Sequence, residues 1–141
     1  MTAHSDQFPW PSYYGHFNTI ENALKTHSKF AKLEPLKEKG TYLLTLRDRT
    51  KIKIFVCECY AFGKAELHES MMKIKDLNMI IISSIWCSYS SYAKEIARNQ
   101  QVGLFSLKEA MGAINNIDYW NYRTKEELEE IKRRKLRENE D

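Results

Sequence analysis

The sequence predicts an α/β fold, a mixed sheet flanked by helices in the order α-β-β-α-β-α-β-α. Three observations carry the prediction. Two adjacent β-rich runs, Tyr42–Arg47 and Lys51–Glu58, read as a hairpin around Asp48 and Arg49. The wholly apolar run Met79–Ile82 has the length and composition of a strand buried on both faces. Single amphipathic helical segments stand between the later strands, so those strands need crossover connections and parallel pairing.

The elements follow in chain order. A first helix is expected from about Asn18 to Leu33, with Asn18 as cap, Glu21 in the first turn and Ile20, Ala23, Leu24, His27 and Ala31 on one stripe. Pro35 is expected to end it, and His27 reads as an edge-of-core residue. In the second strand Ile52, Ile54, Val56 and Glu58 alternate with Lys51, Lys53, Phe55 and Cys57, half exposed early and more buried later. A helix from about Lys64 to Leu77 carries Leu67, Met71 and Ile74 at i, i+4, i+7, its methionines serving as core filler.

The run Met79–Ser84 is the buried strand, ending in small hydroxyl residues. From about Ser91 to Asn99 an amphipathic helix has Tyr92, Ala93, Ile96 and Ala97 on one side and Lys94, Glu95 and Arg98 on the other. Val102–Phe105 is a short strand, and Ser106 with Glu109 has the spacing of a capping box that opens a helix through about Ala113. A second such box, Thr124 with Glu127, opens a charged C-terminal helix with acids first and bases later. There Glu129/Arg133 and Glu130/Arg134 stand at i,i+4, and only Leu128, Ile131 and Leu136 are available to dock it.

This divides the chain into an aromatic N-terminal arm over residues 1–17, a single α/β domain over 18–123 and a charged helix over 124–141. With 141 residues, 43% hydrophobic and 12% aromatic, there is enough apolar side chain for one core. The arm, FPWPSYYGHF, is expected to lie over the body, because Phe8, Trp10, Tyr13 and Tyr14 would be costly to leave in water. No apolar run is long enough for a membrane span and the first residues lack a signal-peptide pattern, so no membrane partner is expected. Cys57, Cys59 and Cys87 are odd in number, which suits a reduced, cytoplasmic setting. Because no second Cys/His pair accompanies Cys57 and Cys59, and His4, His16, His27 and His68 are scattered, no metal site is expected.

The net charge of +3 does not announce nucleic acid by itself. Of 22 Lys/Arg and 19 Asp/Glu, six and seven lie in residues 124–141, so sixteen face twelve in the body, which is mildly basic.

The segment IIISSIWCSYSSYAKEIARNQQVGLFSLKEAMGAI resembles the C-terminal half of the Mrr-type branch of the restriction-endonuclease-like superfamily. In that branch a strand ending in small hydroxyl residues leads to a helix with paired alanines, a short strand and a closing helix. FVCECYAFGKAEL is similar to the family's central strand, in which a carboxylate or amide, any residue and a lysine precede an aromatic and a glycine-containing turn. The likeness spans roughly Thr41 to Ile114.

The resemblance implies a restriction-endonuclease-like fold with a degenerate site. In the family an aspartate of the preceding strand and the central-strand carboxylate hold a divalent metal, and the lysine polarises the attacking water. Aligned on Tyr60 and Gly63, Val56 takes the ligand position and Glu58 the lysine position. Slid by two residues, Glu58 becomes the ligand and Tyr60 replaces the lysine. Either register lacks one essential group, and only Asp48 remains for the aspartate. Nuclease activity would need Asp48, Glu58 and a migrated Lys64 with Mg²⁺. The expectation is therefore a binding domain without cofactor, in the defence or mobile-element setting that superfamily keeps. Its partner would be nucleic acid or a protein complex, and homo-oligomers remain open.

Two binding surfaces suggest themselves. Arg47, Arg49, Lys51 and Lys53, with the run from Lys132 through Arg133 and Arg134 to Arg137, could track phosphates, with Trp86 or Tyr89 stacking on bases. Alternatively Ser83, Ser84, Trp86, Ser88 and Tyr89, with the helix start at Ser90 or Ser91, could hold a small ligand or signalling nucleotide at the strand ends. There is no Gly-rich phosphate loop.

Overall fold

The computed structural model describes residues 7–11, 14–59, 61–83 and 88–140. Helix α1 (Tyr14–Lys25) leads into strand β1 (Phe30–Pro35), followed by β2 (Thr41–Leu46) and β3 (Lys51–Cys57). A two-residue strand β4 (Ala61–Phe62) precedes α2 (Lys64–Lys73) and β5 (Met79–Ile82). Then come β6 (Ser88–Tyr89), α3 (Ser91–Asn99), β7 (Gly103–Ser106), α4 (Leu107–Ala113), a 3₁₀ turn at Tyr119–Asn121 and α5 (Lys125–Glu140).

The result is an α/β fold with a mixed five-stranded sheet in the order β1-β2-β3-β5-β7. The meander β1-β2-β3 is antiparallel, and β3, β5 and β7 are parallel. β4 and β6 pair in parallel as a separate two-stranded ribbon. Helices cover both faces. Ile20 and Leu24 of α1 and Ala110 and Ala113 of α4 pack with Leu44, Ile52, Ile54 and Val56 on one face. Leu67 of α2 and Ala93 and Ala97 of α3 pack with Phe55, Cys57, Ile80 and Leu104 on the other.

The expected first helix is corrected at both ends. It begins at Tyr14, within the stretch assigned to the arm, and stops at Lys25, where the Thr26 hydroxyl donates to Ala23 O at 2.7 Å and competes for the last carbonyls. The residues assigned to its second half form an edge strand instead. Lys32, Leu33, Glu34 and Pro35 pair with Thr45, Leu44, Leu43 and Tyr42, and the sheet bonds outweigh the helical spacing. Pro35 thus ends a strand, at an edge where its missing N–H is tolerated. His27 Nε2 donates to Met111 O at 3.0 Å, while its Nδ1 accepts the Lys29 N–H, an edge-of-core position.

Helix α2 stops four residues short of Leu77. Ile74 turns extended so that it and Leu77 bury before the chain enters β5. Met79 is core, but Met72 is exposed, so not every methionine fills space. The arm docks as expected where it is described: Trp10 is buried against Phe55 and Phe62, with Phe8 beside it. Tyr13 lies outside the described residues.

Among the described residues no helix is long and apolar enough to cross a membrane. Gly40 joins β1 to β2 at φ +81, its carbonyl accepting the Val56 N–H at 2.8 Å. A Cβ there would meet Val56 O at 2.5 Å. Gly40→Ala is therefore expected to destabilise by more than about 1 kcal/mol in urea unfolding. Gly63→Ala, whose Cβ would touch only Glu66 Oε1 at 3.3 Å, should stay near wild type.

Candidate functional site

The carboxyl ends of β3, β5 and β7 form the crevice where ligands of open α/β sheets bind. Glu58 directly follows β3 and is only 2% exposed. Its N–H donates to Trp10 O at 2.7 Å, and its Oε1 lies 2.5 Å from Nδ1 of His16, whose side chain is 37% exposed. A carboxylate at Nδ1 fixes the imidazole plane. The pair supplies the partner that a buried carboxylate requires, and α1 brings it from 42 residues away.

The conditional set Asp48, Glu58 and Lys64 does not assemble. Asp48 sits in the exposed β2–β3 turn, where its Oδ1 accepts the Thr50 N–H at 2.9 Å. Glu58 lies at the other end of the seven-residue strand β3, about 23 Å away at the usual strand rise. Lys64 opens α2 with its Nζ over the Tyr92 ring at 5.8 Å. Val56 is buried in the core, and Tyr60 lies outside the described residues. No group of three His, Cys, Asp or Glu positioned to hold a metal occurs among the described residues.

Of the strand-end ligand residues, Ser84 and Trp86 also lie outside the described residues. Ser83 continues the β3–β5 pairing by donating its N–H to Cys57 O at 2.9 Å, and Ser88 is exposed on β6. Ser90 caps α3 by accepting the Ala93 N–H, so that helix start is occupied by its own serine, ahead of Ser91.

Tyr89 belongs to a buried charge network. Its hydroxyl donates to Glu109 Oε1, and Lys94 Nζ donates to Tyr89 Oη at 2.9 Å, Glu109 Oε2 at 2.6 Å and Glu127 Oε1 at 3.4 Å. Arg98 bonds Glu95, Glu127 Oε2 at 3.1 Å and Tyr122 O at 3.2 Å. The helical pattern placed Lys94 and Arg98 on a polar side of α3. The structure buries both, at 5% and 8% exposure, because α4 and the start of α5 close over that side. Their i,i+4 spacing was the available signal. A cleft of about 700 Å³ opens beside them, its wall carrying Lys94, Arg98, Arg123 and Arg134 together with five glutamates, Glu95, Glu109, Glu126, Glu127 and Glu130.

The basic candidates separate into two groups. Lys51 and Lys53 share the α2/α3 face of β3, with Arg47 and Arg49 exposed at the adjacent turn. Lys132, Arg133 and Arg134 lie on α5, which is anchored at the opposite end of the parallel strands through Glu127 and Lys94. Arg133 and Arg134 both bridge Glu130, at 3.6 and 3.4 Å, so the expected Glu129/Arg133 bridge is replaced by an i,i+3 pair. No family model, curated protein or solved structure matches the chain.

Two outcomes follow. His16→Ala leaves the Glu58 carboxylate buried without its imidazole, and should cost about 1–3 kcal/mol in urea unfolding. The double variant with Glu58→Gln should cost less than the sum of the single changes; additive costs would show that the two groups are not coupled.

The second outcome concerns pH. Burial by itself would raise the Glu109 and Glu127 carboxyls. For Glu109 the Lys94 ammonium and the Ser106 N–H more than offset it, and for Glu127 the Thr124 N–H, Lys94 and Arg98 do, so both sit below the usual 4.5. A carboxyl lowered by folding stabilises above its unfolded value, and that stability is lost as pH falls through the folded value. Thermal midpoints should therefore fall as pH drops from about 4.5, and Glu109→Gln should flatten this acid limb.

Proposed function

We propose that this chain is a non-catalytic, nuclease-like domain of the Mrr-type, restriction-endonuclease-like kind that binds nucleic acid through its phosphates. One observation carries the reading. The sheet register sets Lys32 opposite Thr45 and Thr45 opposite Lys51, and in the next row Glu34 opposite Leu43 and Leu43 opposite Lys53. These side chains lie on the face away from α1 and α4, at the β1–β2 edge, beyond the α2/α3 core. Lys32 and Lys51 are exposed and Lys53 is half-buried, its Nζ donating to Lys75 O at 2.7 Å.

Glu34 is the one carboxylate in these two rows. It bridges Lys32 at 2.8 Å and is held below its usual value first by the Lys32 hydrogen bond and charge, with a contribution from Lys51. Three lysines against one glutamate, continued by Arg47 and Arg49 at the turn, make a rigid cationic strip. Strand-borne lysines without a recognition helix suit backbone contact rather than base reading. The β5-α3-β7-α4 order, with Ala93 and Ala97 buried on the sheet, supports the nuclease-like part of the reading. The separation of Asp48 from Glu58 supports the non-catalytic part.

Retardation of short duplex and single-stranded oligonucleotides in EDTA tests this. Binding should weaken steeply with salt, and Lys32→Gln with Lys51→Gln, both at exposed positions, should lower affinity about tenfold while leaving the thermal midpoint near wild type. Absence of retardation at low salt would remove the proposal. Mg²⁺-dependent cleavage abolished by Glu58→Ala would replace it with a nuclease.

A further inference from the structure

Glu127 stands where a ligand anion would. Its two oxygens receive Lys94 Nζ at 3.4 Å, Arg98 Nη2 at 3.1 Å and the Thr124 N–H at 3.2 Å, with Arg123 Nη1 at 4.0 Å. Lys94 and Arg98 are almost fully buried and sit one turn apart on α3 at the wall of an open cleft, Lys94 held also by Glu109 at 2.6 Å and Arg98 also by Glu95. Arg98 Nε is buried with no hydrogen-bond partner among the described residues. A carboxylate has two oxygens and leaves that donor unmet, whereas a phosphate presents more oxygens to the same fork.

The helix that delivers Glu127 is weakly held. Of its three apolar residues Leu128 and Leu136 are 53% and 62% exposed, and Ile131 is half-buried, so ionic contacts of its first turn supply most of its attachment. We infer that Lys94, Arg98 and Arg123 form a site for a phosphate monoester, and that Glu127 occupies it as a built-in competitor which α5 withdraws when the ligand binds. The cleft volume of about 700 Å³ accommodates a mononucleotide, with Tyr89 on its wall. The site lies at the carboxyl ends of the parallel strands, away from the lysine strip of β1 and β3, and does not depend on it.

Calorimetric titration of the full chain at low ionic strength tests the inference, with inorganic phosphate and a nucleoside 5′-monophosphate as separate probes. Glu127→Gln removes the competitor and should tighten phosphate binding about tenfold or more, because the competent state no longer has to be won from a docked carboxylate. Adding Arg123→Ala to that variant should reverse most of the gain with an unchanged melting curve, since Arg123 is partly exposed. Equal affinity for the two probes would mark a bare phosphate site, and tighter monophosphate binding a nucleotide site; both support the inference. A folded Glu127→Gln protein that binds neither probe more tightly than wild type overturns it. Should Glu127→Gln not fold, Glu127→Asp, which shortens the competing arm, must show the same direction of change, and failure to do so overturns it equally.

Discussion

The central parallel pairing of β3 with β5 constrains everything else. Ile54, Phe55, Val56 and Cys57 stand beside Met79, Ile80, Ile81 and Ile82, and all eight are buried. Strands that are apolar on both sides cannot leave either face to water, so the chain must supply a layer of helices above and below. It supplies α1 and α4 on one face and α2 and α3 on the other, and on the second face Trp10 of the arm fills the remaining gap beside Phe55 and Phe62. The single-helix crossovers from β3 to β5 and from β5 to β7 follow from that same requirement.

Where the covering layer ends, function has room. The β1–β2 edge extends beyond α2 and α3, and on that face the residues change from Phe55 and Cys57 to Lys53, Lys51, Glu34 and Lys32. The cationic strip is thus the polar continuation of a buried strand, placed by alternation. At the opposite ends of the strands the backbone stops pairing and charged side chains come under cover instead. Burying Glu58, Lys94 and Arg98 is unfavourable without partners; Glu58 has the His16 imidazole, and Lys94 and Arg98 have carboxylates, within hydrogen-bonding reach.

Much of the fold was legible locally. The alternation in Lys51–Cys57, the apolar run Met79–Ile82, the exact span of α3 and the capping box of Ser106 with Glu109 are all present. So is the reciprocal pairing of Thr124 with Glu127, whose N–H groups each meet the other's side chain at 3.2 Å. These depend on residues three or four apart and on period. Strand β1 was hidden because Phe30–Leu33 continues a helical spacing, and only β2 shows it to be an edge. The β4–β6 ribbon was hidden because two residues on each side carry no pattern of their own.

The site divides in the same way. The sequence by itself determined that Glu58 ends a buried strand and needs a partner, and that Lys51 and Lys53 share a face, since both statements rest on neighbours along the chain. Only the tertiary structure decided that the partner is His16, that Asp48 stands at the wrong end of β3, and that Lys94 and Arg98 turn inward to meet Glu109 and Glu127. The physical reason is that a charge on a helix surface is solvated or buried according to what covers it, and the covering residues here arrive from as far as 33 positions along the chain.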